Sequence, residues 1–165
     1  DAPLLLFGAA FGLLDLAEKG PMVLPENSIV VETGGMKTHR REITRAELHR
    51  KLADGFGLPV SRIWSEYGMC ELLSQCYARG GGTYLPPPWL RFRVVDPERP
   101  EREMPEGEPG MLQIFDMANL YSVSAIRTED LAVRRGEGFE VLGRLSGADL
   151  RGCNFLLPSE QSSNP

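Results

Sequence analysis

Residues 64–75 read WSEYGMCELLSQ. The flat ring of Tyr67 could stack on a nucleobase. Gly68, directly after it, lets a backbone approach a ligand closely. Glu71, one helical turn later, could hold Mg²⁺ against a phosphate. The plain alternative is that Tyr67 caps a core and Glu71 is solvated. Upstream, ETGGMK (32–37) puts Gly34 and Gly35 behind a β-branched run. That makes a turn whose backbone groups can meet a ligand, or only a turn. Downstream, RTEDLAVRRGEGFEVLGRLSGADLRG (127–152) sets Glu129-Asp130 ahead of a strand, with a turn, a second strand and Gly143-Arg144 beyond it. A carboxylate at a strand edge can chelate the two hydroxyls of a ribose. An arginine in the next hairpin can pair with ribose or phosphate. An ordinary charged hairpin would look the same by spacing alone.

Some framework must hold these residues. Leu4 to Phe7 reads as a buried strand, and Phe11, Leu14, Leu16 and Ala17 follow near helical spacing until Gly20-Pro21 stops them. NSIVVETGG (27–35) reads as a central strand entering a tight loop. TRAELHRKLADGFG (44–57) carries a capping box, Thr44 with Glu47, an apolar stripe of Leu48, Leu52 and Phe56, and a terminating Gly57. VSRIWSEYG (60–68) reads as a strand, and MCELLSQCYA (69–78) as a short helix with Cys76 in the core. Alternating strands and helices predict an α/β fold with a mixed or parallel sheet covered by helices. Ligands in such sheets bind beyond the carboxyl ends of the strands.

Composition shifts at RGGGTYLPPPW (79–89), a glycine- and proline-rich loop. Short extended segments follow at 90–96, 110–117, 131–135 and 139–145, predicting a small, mostly antiparallel β subdomain. The expected division is 1–88 for an α/β nucleotide-binding subdomain, 89–152 for the β-rich one, and 153–165 for a C-terminal tail.

A net charge of −5 argues against a nucleic-acid partner held by counterion release. The basic cluster KTHRRE (37–42) is too short to change that, and no membrane span is expected. Three cysteines, Cys70, Cys76 and Cys153, do not make a disulfide framework. With no CxxC pair and neither histidine at metal-ligand spacing, a structural zinc site is not expected. With no positively charged n-region ahead of the first apolar stretch, no signal peptide is read and a reducing cytoplasm is expected.

Taken in order, TGG, YGMCE, TED and GR resemble the motif series of the adenylate-forming superfamily: acyl-CoA synthetases, firefly-type luciferases and peptide-synthetase adenylation domains. Within it the chain is most similar to the acyl-protein synthetase of the bacterial luminescence fatty-acid reductase. The stretches carrying this likeness are ETGGMK, ITRAELHRKLADGFGLPVSRIWSEYGMCEL, YLPPPWLRFRVVDPE, GEPGMLQIFDM, TEDLAV and VLGRLSGADLRGC, across roughly residues 29–153. Phenylacetate-type CoA ligases share the early motifs.

The resemblance implies roles. Gly34 and Gly35 would border the adenine, Tyr67 would stack on it, and Gly68 would admit it, with Met69 and Cys70 lining the same site. Glu71 would hold Mg²⁺ near the α-phosphate of ATP. Asp130 would bind the ribose hydroxyls, with Arg144 nearby. Cys153 would carry the acyl group, and Arg151 would favour its thiolate. Phe7, Phe11 and the loop at Gly34-Gly35-Met36 would contribute to the acid pocket. The activity implied is ATP-dependent activation of a fatty or aromatic carboxylic acid, then transfer to a thiol on this protein, an acyl-accepting partner protein or CoA.

Three departures from the superfamily pattern bear on this. Cys70 stands where threonine or serine is usual, and a thiol is the poorer donor to phosphate. A Ser/Thr/Gly-rich phosphate loop and a small C-terminal domain with a catalytic lysine have no counterpart in these residues. By this reading the chain is a portion that would not turn over ATP efficiently by itself. A phenylacetate-type acyl-CoA ligase and a non-catalytic nucleotide- or partner-binding module stand as the alternatives.

Overall fold

A computed structural model describes residues 2–20, 22–34 and 43–145. Gly35, the 37–42 cluster, Arg151, Cys153 and the 153–165 tail lie outside the described residues.

The order is β1 (Leu5–Ala9), α1 (Ala10–Glu18), β2 (Ile29–Thr33), α2 (Arg45–Phe56), a 3₁₀ turn at Val60–Arg62, β3 (Ile63–Tyr67), β4 (Cys76–Arg79), β5 (Leu90–Val95), β6 (Pro109–Asp116), β7 (Ala125–Arg135) and β8 (Gly138–Arg144). β1, β2 and β3 pair in parallel, and β4 closes this sheet antiparallel to β3. β5 to β8 form a second sheet, antiparallel throughout. The expected α/β architecture and the small β-rich part are both present.

α2 begins where Thr44 predicts. Its hydroxyl accepts the Glu47 amide at 3.1 Å, and Gly57 ends the helix. Leu48, Leu52 and Phe56 face inward and meet Leu13 and Leu14 of α1 over Val30 and Ile63 of the sheet. Both helices therefore cover one face. The opposite face carries Leu5, Phe7 and Tyr77, all exposed, so β1 is not the buried strand expected for Leu4 to Phe7 but lies at the edge of its sheet.

Three further expectations need correction. Residues 69–78 are not a helix: they turn at 70–71 and return as β4. The reason is visible in the alternation Cys76 in, Tyr77 out, Ala78 in, which is a strand period rather than a helical one. The run 60–68 opens with the 3₁₀ turn, so its strand is shorter than expected. Glu129 and Asp130 do not precede a strand but lie inside β7, which starts at Ala125.

A second apolar cluster joins the two sheets. Leu72, Cys76, Ala78 and Tyr84 pack with Leu90, Val94, Leu112, Ile114, Ala132 and Phe139. Antiparallel bridges from Tyr77 to Leu85 and from Tyr84 to Phe139 stitch the 79–89 loop between them. The carboxyl end of β3 thus abuts β7 and β8, bringing together groups far apart in the chain.

Candidate nucleotide site

Thr33 pairs with Glu66, so Gly34 and Tyr67 are neighbours one position further along β2 and β3. Gly34 has φ +76°, a left-handed backbone that side chains disfavour, and this turns the chain sharply off the strand end. Tyr67 ends β3. Its ring meets Phe139 edge-on at 5.3 Å and Tyr84 at 5.8 Å, while Phe139 also contacts Phe92 at 5.0 Å. An aromatic wall thus backs the tyrosine.

The Tyr67 hydroxyl donates to Asp130 Oδ2 at 2.6 Å. Burial pushes the phenol well up, the Asp130 charge and hydrogen bond add to this, and Thr128 offsets part of it. The phenol therefore remains a donor at any physiological pH.

Asp130 reaches this position through irregular strand pairing. Met111 opposes Leu131 and Gln113 opposes Arg127, so Leu112 alone faces Thr128, Glu129 and Asp130 of β7. Such a bulge re-aims side chains at the cost of ladder hydrogen bonds. A second bulge follows on β8, where Leu142 is the extra residue and Gly143 takes φ +148°. It sets Arg144 directly opposite Asp130. Arg144 Nε lies 3.5 Å from Asp130 Oδ1, and Nη2 donates to Glu129 at 2.8 Å. Asp130 is thus in contact with both Tyr67 and Arg144, with Gly34 beside Tyr67 through the sheet.

Gly68, Met69, Cys70 and Glu71 form the turn that leaves Tyr67. Met69 packs against the second core, while Gly68, Cys70 and Glu71 are exposed. Two residues that the sequence reading did not single out hold this turn. Asp116, fully buried, accepts the amides of Leu73 (2.9 Å) and Ser74 (2.8 Å) on one oxygen. Its other oxygen accepts the Ser74 hydroxyl (2.7 Å) and the Ala118 amide (3.1 Å). Burial alone would raise the Asp116 carboxyl, but the bonds from Ser74, Ala118 and Leu73 outweigh it and hold it below its ordinary value. Asn119 donates to the Glu71 carbonyl at 2.9 Å, and Trp89 donates to Ser74 at 2.9 Å. The signal was FDMAN: an aspartate ending a strand, with an asparagine three residues on, marks a side-chain-braced turn.

A second missed group lies under the site. Glu32 and Ser65 are paired across β2 and β3, and His49 of α2 covers them; all three are buried. Ser65 donates to Glu32, and His49 Nε2 lies 2.9 Å from the Ser65 hydroxyl and 3.4 Å from Glu32. One ring nitrogen serves both partners, so this is a buried polar brace and not a relay through the imidazole. A carboxylate in the β-branched run IVVET was its signal.

Among the described residues no group of three His, Cys, Asp or Glu side chains is arranged around a metal. Glu71 is an exposed carboxylate, a type that can complete the shell of a Mg²⁺ held mostly by phosphates. Cys76 is inert: burial, with the Asp116 charge, pushes its thiol up to about 12. No helix among the described residues is long and apolar enough to cross a membrane.

Comparison with known proteins gives the site its context. ATP-bound MatB from Rhodopseudomonas palustris superposes with TM-score 0.61 at 20% identity, over 86% of this chain and 31% of that one. O-succinylbenzoate coenzyme A synthetase (MenE) from Bacillus subtilis, in complex with AMP, gives 0.60 at 18%, over 86% and 31%. McyG A-PCP complexed with phenylalanyl-adenylate gives 0.59 at 19%, over 88% and 31%. These likenesses show a shared fold, and the chain spans less than a third of each of those proteins. No curated protein sequence matches it. The family model for the acyl-protein synthetase LuxE matches residues 3–161, nearly the whole chain. The chain belongs to the LuxE acyl-protein synthetase family.

Proposed function

We propose that these residues are the nucleotide-binding portion of an ATP-dependent ligase that forms an acyl-adenylate and passes the acyl group to a thiol. The observation that carries this reading is the contact of Tyr67 with Asp130, with Arg144 opposite, at the carboxyl end of a parallel strand beside Gly34. Membership of an acyl-protein synthetase family supports it. So do the ATP, AMP and adenylate complexes named for proteins of the same fold.

In the proposed chemistry an oxygen of the carboxylic acid attacks the α-phosphorus of ATP, and pyrophosphate leaves. A thiolate then attacks the acyl carbonyl, and AMP leaves. The protein's contribution is positioning and charge neutralisation. Adenine would lie between the Gly34-Gly35 loop and the Tyr67 ring, with Gly68, Met69 and Cys70 along its edge. Asp130 would take the ribose hydroxyls, and Arg144 would offset the charge. Glu71 would hold Mg²⁺, which supplies neutralisation of the phosphates. Cys153 is the proposed acyl carrier. Within this reading, 1–88 is the nucleotide-binding subdomain, 89–152 the β-rich one and 153–165 the tail. A reducing cytoplasm is part of the same proposal.

The test is pyrophosphate release by the protein at its full natural length, given ATP, Mg²⁺ and a panel of fatty and aromatic acids. Acid-dependent label on the protein, abolished by Cys153→Ser, is the expected result. Acid-dependent release yielding only acyl-CoA would overturn the acyl-protein assignment in favour of a CoA ligase. No release with any acid would leave a binding module in its place.

A further inference from the structure

Thr128 has no assigned role, yet it opens the β7 bulge. It is buried at 6% exposure. Its hydroxyl donates to the Leu112 carbonyl at 2.8 Å, bridging the gap that the bulge opens in the ladder. The same oxygen accepts the Asp130 amide at 3.1 Å. A single hydroxyl therefore bonds one backbone carbonyl and one backbone amide where the pairing is irregular. It also fixes the direction in which the Asp130 side chain leaves the strand. From the other side the Tyr67 hydroxyl fixes Oδ2.

We infer that Thr128 is a positioning residue for sugar recognition: it holds the bulge that aims Asp130 at a vicinal diol, so that the site prefers a ribonucleotide to its 2′-deoxy form. This rests on the nucleotide reading proposed above. A carboxylate chelating two hydroxyls needs both oxygens directed at the sugar edge. A turn of the 128–130 backbone would keep the charge but lose the two-point geometry. Valine at 128 has nearly the same shape and cannot make either bond, whereas serine can make both.

The experiment measures affinities for ATP and for 2′-deoxyATP in the full-length protein and its Thr128→Val, Thr128→Ser and Thr128→Ala variants. The wild type is expected to bind ATP more tightly than 2′-deoxyATP. In Thr128→Val, ATP binding should weaken by about tenfold while 2′-deoxyATP binding stays within about twofold, so the preference collapses. Thr128→Ser should keep it. An intact preference in Thr128→Val, or equal weakening for both nucleotides, overturns the inference, because a scaffolding role alone would affect both ligands alike. If Thr128→Val does not fold, Thr128→Ala decides by the same ratio, since it also removes both bonds of the hydroxyl. A wild type that binds ATP without sugar preference overturns this inference alone. A wild type that binds neither nucleotide overturns the nucleotide reading with it.

Discussion

Asp116→Asn offers a demanding test of how the turn after Tyr67 is held. The carboxylate accepts four hydrogen bonds, two on each oxygen, with no exposure to water. An amide keeps one accepting oxygen. If that oxygen faces Leu73 and Ser74, the new amino group faces the Ala118 N–H, and two donors oppose each other. The Ser74 hydroxyl can turn to accept with its second lone pair beside Trp89, but its own proton then loses Asp116 as acceptor. Bonds to a charged acceptor contribute about 1.5–3 kcal/mol and neutral ones about 1, while a stranded buried donor costs about 1–3 kcal/mol. Two weakened bonds, each losing about 0.5–2 kcal/mol, and one stranded amide sum to about 2–7 kcal/mol. Urea unfolding followed by tryptophan fluorescence measures it, with Trp89 inside the affected network. The sign with pH also follows. Asp116 is held below its ordinary value in the fold, so its contribution is complete above the unfolded value near about 4 and is lost as pH falls through the folded one. The deficit of Asp116→Asn should be constant from pH 5 to 7 and shrink below about pH 4. A deficit under about 1 kcal/mol, or one that grows on acidification, would refute this account of the turn.

Two further outcomes follow from the same geometry. His49→Leu removes one of the two polar partners of the buried Glu32 side chain, Ser65 being the other, and should destabilise by about 1–3 kcal/mol, with part of the loss recovered when Glu32 is also made apolar. A double-mutant cycle in urea checks the coupling. Gly143→Ala forces a side chain onto φ +148° and should cost about 1–3 kcal/mol while weakening ATP binding through Arg144, measurable by denaturation and calorimetry together.

Periodicity made some elements readable in advance and local chemistry others. α2 was legible because Thr44, its apolar stripe and Gly57 agree with one another. The parallel order of β1 to β3 followed from strands alternating with helices. The stretch 69–78 misled because Met69, Leu72, Leu73 and Cys76 fall near helical spacing. Tertiary pairing with β3, and the Asp116 brace, decide that segment instead. Tyr67, Asp130 and Arg144 were legible as types in an order. Their contact was not, because it depends on bulges at 128–130 and 142 that no local pattern announces. Glu32, His49 and Ser65 escaped notice since each looks ordinary in its own segment, and only the packing of α2 on the sheet joins them.

The most direct test of the central claim is a crystal structure of the full-length protein with AMP bound. Adenine is expected against the Tyr67 ring and the Gly34 turn, with the ribose hydroxyls on Asp130. AMP bound elsewhere, with Tyr67 still hydrogen-bonded to Asp130 and no ligand between Gly34 and that pair, would contradict it.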